Sequence, residues 1–174
     1  MNNDSYCWKD DLYGELIYEK TDWRKKEKVG FCYNGSLIYV DIFIRVLDSL
    51  FIEYYCKIGD NEIGWADEDF EDDKEEEEEY YKNIKMIYQK YVCNPNKTIS
   101  VIEKAIYNAY SSYEDNAKKR YTFSEVLNKT IINRITLFED RIEIDCSCGW
   151  NLSGALGIII SSDSVETGGR EILY

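Results

Sequence analysis

Residues 29–46 read VGFCYNGSLIYVDIFIRV, and this stretch decides the fold class. Asn34-Gly35 stands between two apolar runs, and this dipeptide favours the two-residue turn of a β-hairpin. In the second arm, β-branched residues occupy alternate positions from Ile38 to Val46. Because successive side chains of a strand point to opposite faces, the pattern predicts one face that meets the core and one face of mixed polarity that is partly solvent-exposed.

More strands are predicted on both sides of this hairpin. One short candidate precedes it at residues 13–20. The last third of the chain holds four others, at residues 131–140, 141–150, 156–163 and 166–174. Glu139-Asp140 is the expected turn between the first two of these. Alternation in the second places Cys146 and Cys148 on one face, together with Ile142 and Ile144.

Two helices are predicted between these β-rich parts. The first, residues 75–92, repeats apolar side chains at helical spacing: Tyr80, Ile84, Ile87, Tyr88 and Tyr91. After a break at Asn94-Pro95-Asn96, a second helix is expected at residues 99–120 with Thr98 as its N-cap. A short helix is expected at residues 123–129. Strands, a helical hairpin and strands again predict an α+β fold, with a mostly antiparallel sheet and the hairpin inserted between N-terminal and C-terminal strands.

The length of 174 residues suits one domain, residues 1–174, with an acidic loop at residues 66–79 inside it. A hydrophobic share of 44% is enough for a real core, so the acidic loop does not indicate a disordered chain. The first residues lack the basic start and apolar run of a signal peptide, and no apolar window is long enough for a membrane span. We therefore expect a cytoplasmic protein with no membrane contact.

The acidic stretch ADEDFEDDKEEEEEYY, residues 66–81, concentrates the charge of the chain. Residues 67–79 hold eleven carboxylates and one lysine, a net −10 out of −13 for the whole chain. Such a patch repels phosphate backbones, so we expect no direct nucleic-acid binding, and its natural complement is a basic partner. Its acids fall at EF-hand-like spacing, but Asp72 stands where the calcium loop needs glycine, so no metal site is predicted.

No catalytic residue or cofactor is predicted. The chain has no histidine, which excludes Ser-His-Asp and Cys-His arrangements. Neighbouring exposed acids do not have the separated pKa values that a general acid and base require. Of six cysteines, Cys146 and Cys148 alone are close, and structural zinc usually needs two such pairs. We expect reduced, partly buried thiols.

The acidic loop is the candidate binding site, for a basic protein partner. Six carboxylates would carry the charge: Asp67, Glu68, Asp69, Glu71, Asp72 and Asp73. Four aromatic residues are the candidate anchors: Trp65, Phe70, Tyr80 and Tyr81. For Tyr80 packing in the core is favoured over an interface role, and for Trp65 and Phe70 both interpretations stay open. The alternative is a structural or housekeeping domain whose acidic loop is merely solvated.

The part of the chain from about residue 80 to residue 174 resembles a bacterial family of unknown function, the DUF6985 domain. The residues concerned are AIYNAY at 105–110, IEIDCSCGWN at 142–151, ALGIII at 155–160 and VETGGREILY at 165–174. The chain departs from the family pattern at Ser153-Gly154-Ala155, where the family has Glu-His before Gly-Leu-Gly, and at Asn151, where it has aspartate. The resemblance implies a small bacterial α+β protein, with some members associated with toxin–immunity loci, and it implies no reaction.

Overall fold

The described chain folds as nine strands and three α-helices. A computed structural model describes residues 7–19, 22–45, 71–113 and 120–173, and at residues 8, 19 and 71–78 only their backbone. The strands are β1 (Cys7–Asp10), β2 (Gly14–Glu19), β3 (Asp22–Lys25), β4 (Val29–Tyr33), β5 (Ser36–Arg45), β6 (Thr130–Leu137), β7 (Arg141–Cys148), β8 (Ala155–Ser161) and β9 (Val165–Gly168). The helices are α1 (Glu71–Ile87), α2 (Pro95–Ser112) and α3 (Phe123–Asn128), with a π-helix at Tyr88–Val92 and a 3-10 helix at Arg170–Leu173.

The strands form one sheet in the order β1-β2-β3-β5-β6-β7-β8-β9, with β4 also paired to β5. The pairing of β5 with β6 is parallel, and the other pairings are antiparallel. A parallel pair needs a long crossover, which the helices between β5 and β6 supply. The predicted α+β fold, with a mostly antiparallel sheet and an inserted helical hairpin, is confirmed.

The β4–β5 hairpin forms as its sequence predicts. Asn34 has φ 47° and Gly35 has φ 76°, the two left-handed conformations of a type I′ turn. The turn closes on the pair Tyr33 and Ser36. Val40, Ile42 and Ile44 are buried, so the β-branched face of β5 does meet the core.

The helical hairpin covers one face of the sheet. Ile102 and Ile106 of α2 are fully buried in the core. The Tyr91 hydroxyl donates to the Ser161 carbonyl at 3.1 Å, which ties the π-helix to the end of β8. On the opposite face, which we call the open face, the 3-10 helix at Arg170–Leu173 packs over Gly157 and Gly168.

The start of α2 differs from the prediction. Its N-cap is Asn94, and Pro95 occupies the first helical position, where proline fits well. Thr98 therefore lies inside the first turn, and its buried hydroxyl donates to the Tyr91 carbonyl at 2.6 Å. The helix ends at Ser112, short of residue 120. The short helix α3 does have the expected cap, because Thr122 and Glu125 form a reciprocal capping box.

Three short strands, β1, β3 and β9, also differ from the prediction. β1 and β3 were not predicted, since Asp22–Lys25 carries three charged residues and is ordered by pairing with β2 and β5. The strand expected at residues 166–174 forms in its first part but not in its second. β9 ends at Gly168, and Arg170–Leu173 turns into the 3-10 helix.

Candidate partner-binding site

The predicted binding residues fall at the boundary of the described chain. Trp65, Asp67, Glu68, Asp69 and Phe70 lie outside the described residues. Glu71, Asp72 and Asp73 form the start of α1, where the backbone alone is described. The structure therefore fixes the conformation and attachment of the site from residue 71 onward.

Helix α1 begins inside the acidic run, at Glu71, and not after it at residue 75 as expected. From residue 71 onward the predicted acidic loop is thus a helix. Acids in a first helical turn interact favourably with the helix dipole, by about 0.3–1 kcal/mol each when exposed. This gain accounts for the early start, because Glu71, Asp72 and Asp73 occupy that turn.

The first half of α1 carries strong like-charge repulsion. Residues 71–79 contain eight carboxylates and a single lysine, Lys74. Four pairs of acids stand four residues apart, beginning with Glu71 and Glu75, and each such pair destabilises a helix by about 0.2–0.5 kcal/mol. The dipole gain fades after the first turn, so contacts farther along must hold this helix in place.

Tyr80 supplies one of those contacts. Its side chain is 6% exposed, and its hydroxyl donates to the Arg45 carbonyl at 2.7 Å. Burial raises the pKa of Tyr80, so the phenol remains a donor throughout the physiological range. Ile84, one turn later, is fully buried. The core-packing interpretation of Tyr80 is confirmed, and this residue is not a surface anchor.

The exposed and buried parts of α1 meet at this point. Glu79 is exposed, whereas Tyr81 is half-buried against the core, with its ring edge-on to Tyr80 at 5.8 Å between centroids. Tyr81 is therefore mainly a packing residue as well. Of the four candidate anchors, Trp65 and Phe70 keep both interpretations, because they lie outside the described residues.

Two arginines lie close to the attachment point of α1. Arg45 Nε is 3.1 Å from Asp22 Oδ1, and Arg141 Nε is 3.0 Å from Glu143 Oε1. Both guanidinium groups lie over the Phe138 ring, at 5.4 and 4.3 Å from its centroid. These cations have carboxylate partners of their own on the sheet, so they form part of the fold and not of a free basic site.

Cys146 and Cys148 are inert buried thiols. Both side chains lie in the core on the helix-covered face of β7. Burial raises the pKa of both, that of Cys148 to about 11, so both are protonated at neutral pH. A thiol in this state is a poor nucleophile and a poor metal ligand. The expectation of two small buried thiols on one face is confirmed.

Among the residues that the structure describes, no group of three or more His, Cys, Asp and Glu side chains could hold a metal ion. The acidic residues before Glu71 are outside that statement. The helices of the described ranges include none with the length and apolar composition of a membrane span.

The C-terminal tail that resembles DUF6985 is organised by Asn151. Its Oδ1 accepts the Gly154 N–H at 2.7 Å, and its Nδ2 donates to the Ala155 carbonyl at 2.7 Å, so the side chain builds the β7–β8 turn. Gly157 follows in β8, and a Cβ there would stand 2.8 Å from the Gly169 carbonyl oxygen. Close packing against the 3-10 helix therefore favours glycine at this position.

The open face of the sheet carries exposed apolar side chains that were not singled out from the sequence. Leu37 is 63% exposed, Tyr39 is 64% exposed, and Ile131 on β6 is 66% exposed. The signal lay in the odd positions of β5, because the same alternation that buries Val40 and Ile42 places Leu37 and Tyr39 on the other face.

No protein-family model, curated protein or solved structure matches this chain. The resemblance to DUF6985 therefore stays a prediction. The function has to be inferred from the residues of the chain itself.

Proposed function

We propose that this protein is a non-catalytic binding protein that holds a basic protein partner through its acidic segment, residues 65–79. One observation carries the proposal. The first nine residues of α1 hold eight carboxylates, and Tyr80 directly after them is buried in the core. A first turn of three acids already matches the helix dipole, so the dipole does not account for the remaining carboxylates.

Binding a basic surface would remove an energetic penalty that the free protein carries. The like-charged pairs of residues 71–79 repel one another in the free helix. Lysine and arginine side chains of a partner would neutralise them, and the field of the segment would speed the encounter. Part of the binding energy would thus come from relieving repulsion within the helix.

The aromatic residues before α1 would give the contact its specificity. The charge of the segment would attract many basic proteins. Aromatic side chains that become buried in the interface would favour the partner whose surface fits them. Trp65 and Phe70 are the candidates, with Asp67, Glu68, Asp69, Glu71, Asp72 and Asp73 as the surrounding charge.

An immunity-type inhibitor is the specific role that we propose. Toxins that attack nucleic acids often have basic active-site grooves, and an acidic segment with aromatic residues could fill one. The resemblance to DUF6985 points the same way, and the cytoplasm is the proposed location. The second candidate function is a housekeeping domain with a solvated acidic segment.

Two variants with the same change in net charge separate these functions. The segment variant neutralises Asp67, Glu68, Asp69, Glu71, Asp72 and Asp73 to Asn or Gln. The control variant neutralises six exposed carboxylates elsewhere: Asp11, Glu27, Glu139, Asp163, Glu166 and Glu171. Each protein is used to capture partners from host lysate at about 50 and 300 mM salt, and captured proteins are identified and purified for direct titration.

The proposal predicts one basic protein that binds the intact chain and the control variant but not the segment variant. Its binding should weaken at the higher salt concentration, because salt screens the attraction between the acidic segment and the basic partner. Equal binding by all three proteins, or none by any of them, would support the housekeeping function instead.

A further inference from the structure

Among the described residues, strand β4 has one edge that pairs with β5 and one edge that pairs with no strand. Within the described residues, its pairing partner is β5, along Val29–Tyr33. The register of the hairpin determines which N–H and C=O groups of β4 are not bonded to β5. Because Tyr33 and Ser36 close a two-residue turn, residues 29, 31 and 33 direct their N–H and C=O groups to β5. Those of Gly30 and Cys32 point to the other side, which we call the β4 edge.

The residues of β4 itself lack the features that usually prevent a second strand from pairing. Natural edge strands carry charged side chains, proline or bulges that block a second strand. Residues 29–33, VGFCY, contain none of the charged residues or proline, and their register with β5 is continuous. The Cys32 side chain on this strand is exposed.

Opposite charges mark the two ends of the β4 edge. At one end, Lys28 is exposed beside Asp41, with Nζ 2.8 Å from Oδ2. At the other end, Glu103 Oε1 of α2 accepts the Asn34 N–H at 2.6 Å. Asn34 directly follows β4 as the first residue of the turn, so the Glu103 carboxylate lies at this end of the strand.

We propose that a second copy of this chain pairs antiparallel with the β4 edge, about a two-fold axis at Phe31, to form one sheet across two molecules. The backbone alternation fits this arrangement. Gly30 of each copy would exchange two hydrogen bonds with Cys32 of the other, and Phe31 would face its own counterpart as a non-hydrogen-bonded pair.

The charges select a second copy in this orientation. An antiparallel partner centred on Phe31 places its Lys28 opposite Asn34, next to the carboxylate of Glu103. The two-fold axis repeats the contact, so each end of the interface pairs a lysine with a glutamate. In a parallel arrangement, Lys28 of one copy would lie beside Lys28 of the other, and both lysine–glutamate pairs would be lost.

The apolar side chains of the open face also match across such an interface. Cys32 is opposite Leu37 and Gly30 is opposite Tyr39 within one chain. Leu37 Cδ1 and Tyr39 Cε1 lie 3.2 and 3.6 Å from the position that a Cβ on Gly30 would take. Pairing Gly30 with the Cys32 of the other copy creates two identical rows of Leu, Cys, Gly and Tyr, and isologous contacts of this kind are typical of dimers.

Sedimentation velocity over a range of concentrations tests the proposal, in about 150 mM salt to screen the net charge. The unmodified chain should dimerise. Cys32→Lys should weaken the dimer at least about tenfold, because it places a charge on each side of the axis. Cys93→Lys, the same change at an exposed cysteine on the helical hairpin, should leave it intact. Circular dichroism checks that each variant is folded.

Cross-linking of the unmodified chain gives a second test that needs no disruptive change. The two Cys32 residues would be diagonal neighbours with Cα atoms about 7–8 Å apart, within reach of a short bismaleimide. The covalent dimer should be lost in Cys32→Ser and kept in Cys7→Ser and Cys93→Ser. A chain that stays monomeric at about 0.3 mM, or a dimer unaffected by Cys32→Lys, overturns the proposal.

Discussion

The Tyr80 hydroxyl donates to the Arg45 carbonyl at 2.7 Å, and this bond joins the two ends of the segment that contains the acidic run. Arg45 is the last residue of β5, and Tyr80 of α1 is buried in the core. The acidic segment is thereby attached at the end of β5 opposite to the Asn34-Gly35 turn. Its proposed partner and the proposed second copy at the β4 edge would occupy different parts of the molecule.

Tyr80→Phe should destabilise the protein by about 0.5–1.5 kcal/mol, because it removes this hydrogen bond without emptying the space of the ring. The free energy of unfolding in urea measures the effect. Tyr39→Phe is the control, since Tyr39 is 64% exposed, and it should change the stability by less than about 0.5 kcal/mol. An equal effect of the two changes would show that the bond to Arg45 contributes nothing.

Gly157→Ala should destabilise the protein by about 1–3 kcal/mol through overpacking. The added Cβ would stand 2.8 Å from the Gly169 carbonyl oxygen and 2.9 Å from Ile172 Cγ1. The 3-10 helix at Arg170–Leu173 would have to move off the sheet. Gly149→Ala is the matched control, because the nearest atom to its Cβ is 3.8 Å away. Equal melting temperatures of the two variants would contradict the close packing seen at Gly157.

Asn151→Asp tests whether the departure from the DUF6985 pattern matters for folding. The aspartate would still accept the Gly154 N–H, but it would lose the donor to the Ala155 carbonyl and face that oxygen with a charge. We expect the free energy of unfolding, measured in urea, to fall by about 0.5–1.5 kcal/mol. Asn108→Asp, on the exposed side of α2, is the control and should be nearly neutral. A stabilising Asn151→Asp would contradict the assignment of the turn.

The free energy of unfolding should fall as the pH rises above about 9. Burial raises the pKa of the Cys148 thiol from 9.0 to about 11, and that of Cys146 also rises. Between these values the unfolded chain loses its thiol protons while the folded chain keeps them, so the stability contributed by the neutral thiols is lost. Above pH 10, the raised pKa values of Tyr33, Tyr80 and Tyr88 act in the same direction.

Urea titrations at pH 7, 8, 9 and 10 measure this dependence. Replacement of both Cys146 and Cys148 by Ala should flatten the curve between about pH 9 and 10, where the tyrosines contribute little. A curve that stays level in the unmodified chain, or falls equally in the variant, would show that the two thiols are not the cause.

The sequence predicts most of the fold because local signals agree with the tertiary structure. The Asn34-Gly35 turn, the alternation in β5 and β7, and the Thr122 cap each depend on residues close in the chain. β3 could not be found in this way, because Asp22–Lys25 becomes a strand through its neighbours β2 and β5. Thr98 suggested a cap, yet Pro95 starts the helix earlier and leaves the Thr98 hydroxyl to the Tyr91 carbonyl.

The proposed binding site was predictable in part. Charge density marks residues 67–79 in the sequence alone, and helical spacing marks Tyr80 as a core residue. The hairpin pattern could not predict that no strand of the described residues lies on the outer side of β4. A hairpin pattern specifies the pairing of β4 with β5 but does not specify whether another strand lies on the outer side of β4.

Hydrogen exchange with and without the purified partner tests the central claim most directly. We predict that amides of residues 66–79 exchange more slowly in the complex, because the acidic segment is covered and the repulsion in α1 is relieved. Amides of β7, in the middle of the sheet, provide the internal reference. Slower exchange confined to other parts of the chain, with residues 66–79 unchanged, would contradict the assignment of the acidic segment as the binding site.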